Sequence, residues 1–128
     1  MKYVVFIEPD SVMRRIYKKS LSSKKYKVYI FSSAEEAIKS MDKMIPDLIV
    51  MEIQLPGHNG VELIHELRSY TDLCEVPIII NSLVPQEAFM ITNKSMKTNR
   101  IVAYLYKPQT NLEKLSNSIE EVLVTNET

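Results

Sequence analysis

Cysteine occurs once and glycine twice in these 128 residues, and neither sign of charge prevails. A single thiol, Cys74, excludes an internal disulfide framework and any multi-cysteine metal site. It fits a reducing cytoplasm. Sixteen basic and sixteen acidic residues cancel, with a pI near 6.7. That balance disfavours nucleic acid as a direct partner. No apolar stretch approaches the roughly 20 residues of a membrane span. Met1-Lys2 runs straight into a short strand-like segment, which is too short to be expected as a signal peptide. Internal repeats, linkers and low-complexity segments are absent as well.

What is present is a foldable core. Hydrophobic residues make up 45% and charged residues 25%, the composition of a soluble globular protein. A chain of this size buries roughly two thirds of its unfolded surface and needs no disulfide or structural metal. One domain over residues 1–128 is expected, with an ordered core from about residue 2 to 124.

Apolar runs and helix-period stripes alternate along the chain. Tyr3–Ile7 reads as a strand buried on both faces. Asp10 or Ser11 caps a helix with Val12, Ile16 and Leu21 inward, Met13 or Tyr17 at the margin, and Arg14, Arg15, Lys18 and Lys19 outward or on the rim. Lys24-Lys25 ends it. Lys27–Phe31 is a second strand. Ser32 or Ser33 caps a helix that runs through Met44 with Ala37, Ile38 and Met41 inward. Leu48–Glu52 is the third strand, and Val61, Leu63, Ile64 and Leu67 mark a third helix ending near Tyr70. Val76–Asn81 is the fourth strand, with Pro77 at its entrance. Pro85–Lys97 reads as a fourth helix carrying a Phe89-Met90-Ile91 cluster. Ile101–Tyr106 is the fifth strand. Asn111 to Val124 forms a last helix with Leu112, Leu115, Ile119 and Leu123 inward, and Thr125–Thr128 frays. Five strands alternating with helices predict a doubly wound parallel sheet with helices on both faces.

Ligands of such folds sit beyond the carboxyl ends of the strands. Glu8, Glu52, Asn81, Ser82 and Lys107 fall there. Glu52 follows a buried-looking run and precedes Gln54-Leu55-Pro56-Gly57-His58-Asn59-Gly60, which holds both glycines. An acid in that place reads as a site residue.

The pieces Phe6-Ile7-Glu8-Pro9-Asp10 with Met13-Arg14-Arg15, Asp47–Glu52 with Gln54–Gly57 and Asn59-Gly60, Val76–Ser82, and Tyr104-Leu105-Tyr106-Lys107-Pro108 come in the order found in one family. Over nearly its whole length the chain resembles the receiver domain of two-component response regulators. The resemblance implies the flavodoxin-like, CheY-like sheet with strand order 2-1-3-4-5. It also implies phosphoryl transfer from a histidine kinase or phosphotransfer protein to an aspartate, with Mg²⁺ held by an acidic pair, that aspartate and a backbone carbonyl two residues beyond it.

Two positions depart from that pattern. The phosphoacceptor position is Glu52, and the acidic pair is Glu8-Pro9, so one carboxylate is missing. The resemblance carries Ser82 and Lys107 over as phosphoryl contacts, Gln54 as the carbonyl, and Tyr104 as the aromatic coupled to the hydroxyl. Glutamate's extra methylene displaces the carboxylate by about 1.5 Å, and a misplacement of about 1 Å can cost on the order of a hundredfold in rate. Weak or absent Mg²⁺ binding by Glu8, Glu52 and the Gln54 carbonyl is therefore expected, together with poor phosphorylation. Asp10 is an acidic neighbour whose expected role is the helix cap. A longer carboxylate can reach Ser82 and Lys107, and Glu52 then imitates the phosphorylated state. Signalling through the surface of the fourth helix, fifth strand and fifth helix, without catalysis, follows, and a homodimer is one form such contact takes.

Plainer readings stand beside these. Glu52 could be a salt-bridged acid paired with Lys107, Glu8 a remnant, and Tyr104 a packing residue. His58 and His65 read as solvated, Cys74 as buried and inert, the methionines as core filler, and the basic run of the first helix as a solvated face. A working phosphoacceptor that uses Glu52 or a neighbour is a second reading of function. A small flavodoxin-like enzyme or cofactor binder is a third. The acidic Glu8-Pro9-Asp10-Ser11, in the place of a Gly-rich phosphate loop, speaks against it.

Overall fold

The computed structural model describes residues 1–21, 25–89 and 91–125. Five strands form one parallel sheet: β1 (Lys2–Ile7), β2 (Tyr26–Phe31), β3 (Leu48–Met51), β4 (Ile78–Ser82) and β5 (Ile101–Tyr106). Their order is β2-β1-β3-β4-β5, which is the predicted 2-1-3-4-5. The order in which strands are added reverses at β1, whose Ile7 lies level with Phe31 on one side and Met51 on the other.

Why these segments are strands is visible in what they bury. β3 and β4 are buried throughout, and β1 is buried from Val4 to Ile7. Side chains alternate between faces with period two. Val4, Phe6, Leu48, Val50 and Ile79 meet Tyr17 and Leu21 of α1 (Ser11–Leu21) and Leu115, Ile119, Val122 and Leu123 of α5 (Leu112–Thr125). Val5, Ile7, Ile49, Met51, Ile78 and Ile80 meet the opposite layer, which includes α2 (Ala34–Met41) and α3 (Gly60–Ser69). Each fully buried aliphatic side chain of this kind contributes about 1.5–3 kcal/mol. The edge strands β2 and β5 are only partly covered.

Helix starts follow side-chain caps. Asp10 Oδ1 accepts from the N–H groups of Val12 (2.8 Å) and Met13 (3.1 Å). Ser33, Asn59 and Asn111 do the same for α2, α3 and α5. Between β3 and α3, residues Gln54–Leu55 and His58–Asn59 form a two-rung antiparallel hairpin. Gly57 there has φ +72°, the left-handed region that favours glycine. Gly60 is required for another reason: a Cβ on it would collide with the backbone and side chain of Ile53.

Several expectations are corrected. Val12 is 55% exposed and Leu112 37% exposed, whereas Tyr17, placed at the margin, is buried. The face of α1 is turned by about one position, toward Met13 and Tyr17, where it packs on α5 as well as on the sheet, whereas α5 buries Leu115, Ile119 and Leu123 as expected. The continuous fourth helix is not formed. A 3-10 turn at Gln86–Phe89 is followed by α4 (Asn93–Thr98), which starts afresh where Thr92 Oγ1 accepts from Ser95 N–H at 3.0 Å. Phe89 and Ile91 nevertheless pack on the core. The second helix ends at Met41 instead of Met44. The third strand stops at Met51, one residue before Glu52, and the fourth runs from Ile78 to Ser82. Lys24, Met90 and residues 126–128 lie outside the described residues, and Thr125 is still helical. Among the described residues, no helix is long and apolar enough to cross a membrane.

Candidate functional site

The sheet places the site. Glu8 follows β1 and its N–H donates to the Phe31 carbonyl (2.9 Å); Glu52 follows β3 and its N–H donates to the Ile7 carbonyl (3.0 Å). The two acids thus leave adjacent strand ends together, on either side of the switch in strand order. Ser82 closes β4, level with Tyr106, and Lys107 follows directly after β5. Glu8, Glu52 and Ser82 are buried, at 2%, 3% and 0% exposure.

Lys107 joins the acids. Its Nζ lies 2.6 Å from Glu8 Oε1 and 3.0 Å from Glu52 Oε1. Glu52 Oε1 also accepts from Leu83 N–H at 2.9 Å, and Glu52 Oε2 accepts from Gln54 N–H at 3.0 Å. Glu8 Oε2 accepts from Asp10 N–H at 3.1 Å. The Ser82 hydroxyl accepts from Val84 N–H at 3.0 Å. Tyr104, level with Ile80 on the neighbouring strand, donates its hydroxyl to the Val84 carbonyl.

Electrostatics follows from those contacts. Burial opposes the Glu52 charge. The Gln54 amide, the Ser82 hydroxyl, the Leu83 amide and Lys107 outweigh it and hold the carboxyl below the usual glutamate value. Burial likewise pulls Lys107 down, but Glu8 and Glu52 more than offset it and its pKa is raised. Burial raises the Tyr17 and Tyr104 hydroxyls.

The candidate metal ligands are Glu8, Glu52 and the Gln54 carbonyl. They do not suit Mg²⁺, which takes oxygen ligands in near-octahedral array at about 2.0–2.1 Å. All four carboxylate oxygens already accept from N–H groups, and an ammonium stands between the acids. Pro9 has no side-chain oxygen. Asp10 is exposed and serves as the α1 cap. Among the described residues, no three His, Cys, Asp or Glu side chains gather to hold a metal ion.

Other candidates fall away from this centre. His65 is exposed, and the His58 side chain lies outside the described set. Cys74 is not buried as expected: it is partly exposed, in the turn after α3, with Sγ donating to the Thr71 carbonyl. Three features were not read from the sequence. The Leu83 and Gln54 amides carry no side-chain signature, although N–H groups just past strand ends are free of the ladder and available to an acid. Arg14 is not merely on the solvated rim: its Nη1 donates to the carbonyls of Glu8 (3.0 Å) and Pro9 (2.7 Å). Asn81 Nδ2 donates to the buried Tyr17 hydroxyl at 3.0 Å, a polar pair linking β4 to α1.

The family model for the response regulator receiver domain matches residues 4–120. The chemotaxis protein CheY1 of Helicobacter pylori is 30% identical over 131 residues, covering 99% of this chain and 100% of that protein. The sensor histidine kinase TmoS of Ectopseudomonas mendocina is 27% identical over 105 residues, which are 82% of this chain and 10% of that protein. The chain therefore spans the full length of some relatives and a small part of others. A CheY-like receiver domain protein from Methanospirillum hungatei superposes with a TM-score of 0.84 at 21% identity, covering 99% of this chain and 97% of its own. CheY4 of Vibrio cholerae superposes with a TM-score of 0.81 at 20% identity, covering 95% and 98%. These superpositions agree with the strand order found here. With its match running from β1 into α5, the chain belongs to the response regulator receiver domain family.

Proposed function

We propose that this chain is a signalling receiver that works by protein contact, with Glu52 holding the arrangement that a phosphorylated aspartate would otherwise hold. The observation that carries the reading is the position of Glu52 Oε1, which receives both Leu83 N–H (2.9 Å) and Lys107 Nζ (3.0 Å) beside a fully buried Ser82. The donors meant for a phosphoryl group are taken by the protein's own carboxylate. Glu52 is also a poor nucleophile in this setting, because its oxygens are hydrogen-bonded, and phosphoryl transfer depends on an in-line approach with little tolerance for misplacement.

Tyr104 supports the same reading from the next strand. Its hydroxyl is tied to Val84 in the loop after β4, so the state of Ser82 and that of Tyr104 share one short segment. The face formed by α4, β5 and α5 is the proposed contact surface, and Val102 on β5 is 45% exposed there. A histidine kinase or phosphotransfer protein, a downstream protein, or a second copy of the chain is the class of partner proposed. No catalytic activity is assigned.

Incubation with acetyl phosphate and Mg²⁺, followed by intact-mass measurement, tests the proposal. The mass is expected to remain that of the unmodified chain. Stoichiometric labelling, stable in acid and labile in base, would overturn it in favour of a working phosphoacceptor.

A further inference from the structure

We infer that Lys107 is the resident counter-ion of this site, its ammonium standing where the Glu8 and Glu52 carboxylates converge and doing the work that a divalent cation would do there. The inference rests on the reading of Glu52 given above and extends it to what holds Glu52 in place. Two buried carboxylates that leave adjacent strand ends repel each other unless a cation lies between them. Here that cation is covalently part of the chain, 2.6 Å from one acid and 3.0 Å from the other, with its side chain only 11% exposed. Water cannot screen it well, and a second cation brought to the same acids would meet a like charge a few ångströms away.

The loop that carries Glu8 is fixed in keeping with this. Arg14 holds the carbonyls of Glu8 and Pro9, and Asp10 N–H occupies the second Glu8 oxygen, which leaves the first facing Lys107. Pro9 contributes a rigid backbone and no ligand. The closed arrangement is therefore set by the sequence and is independent of the concentration of free Mg²⁺.

Lys107→Met keeps the apolar stem of the side chain and removes the charged ammonium. Calorimetric titration with MgCl₂ is expected to show no saturable binding to the unaltered protein in the millimolar range. The variant is expected to bind at least about tenfold more tightly, the direction set by removal of one like charge. Mg²⁺ is likewise expected to raise the melting temperature of the variant alone. Equal affinities, or a folded variant that gains none, overturn the inference. Should the variant not fold, the ¹⁵N–¹H signal of the Lys107 ammonium in the unaltered protein decides: it is expected to stay in place when millimolar Mg²⁺ is added, and its displacement overturns the inference. Phosphoryl labelling is a separate readout. Labelling with an unmoved ammonium sinks the Glu52 reading alone, whereas saturable Mg²⁺ binding without labelling sinks this inference alone.

Discussion

At the scale of single residues, one methylene separates glutamate from aspartate, and here it decides which atoms meet. The Glu52 carboxylate spans from the Gln54 amide in the hairpin after β3 to the Leu83 amide beyond β4 and the Lys107 ammonium beyond β5. A side chain so well supplied with donors is stabilising only while ionised. Its pKa in the folded protein lies below the value of about 4.5 that it takes when unfolded. The contribution is therefore complete above that unfolded value and is lost as pH falls through the folded one. Lys107 has the opposite sign: its raised pKa keeps its contribution whole below 10.5 and loses it as pH climbs through the folded value. Glu52→Gln should cost about 2 kcal/mol near neutral pH, since Lys107 retains Glu8 as a partner. It should also flatten the dependence of stability on pH below about pH 4.5. Urea unfolding of both proteins from pH 3 to pH 7 measures this. A variant whose acid limb matches that of the unaltered protein would show that other carboxylates set it.

At the scale of elements, the strands were the most legible part of the chain. Continuous apolar runs such as Leu48–Met51 and Ile78–Ile80 are buried on both faces, so their composition alone announces them. The acids and lysine at their ends could be named for the same reason, because strand ends in this architecture converge. Helix faces were less legible. Val12 and Leu112 look apolar at the right spacing, yet they stand exposed in the first turns of α1 and α5, while Leu115, Ile119 and Leu123 are buried as their spacing suggests. The fourth helix was misread because Phe89 and Ile91 mark core contacts made from a 3-10 turn and its exit. Backbone donors such as Leu83 N–H were invisible for want of any side-chain signal. So was the Arg68 guanidinium, which donates to the carbonyls of Leu73, Val76 and Asn99 and so ties α3 to the loops entering β4 and β5. Arg68→Met should strip a charged donor from each of the three carbonyls, of which Leu73 keeps the Val76 N–H, at a cost of about 3 kcal/mol. The melting temperature is then expected to fall by roughly 10 °C. A fall of a degree or less would mean that water replaces the guanidinium without penalty.

At the scale of the whole molecule, the receiver fold brings five distant segments to one end of a sheet, and the chain keeps that convergence while altering what meets there. The proposed consequence is a domain whose surface is set by an internal carboxylate and an internal ammonium instead of by phosphate and metal. Partner binding should then be unaffected by a phosphoryl donor. The amide spectrum of ¹⁵N-labelled protein tests this most directly, because the Leu83 and Val84 N–H groups contact Glu52 and Ser82 themselves. Both signals are predicted to remain in place when acetyl phosphate and Mg²⁺ are added, and to move in Glu52→Gln. Movement of those two signals in the unaltered protein on adding the phosphoryl donor would contradict the account.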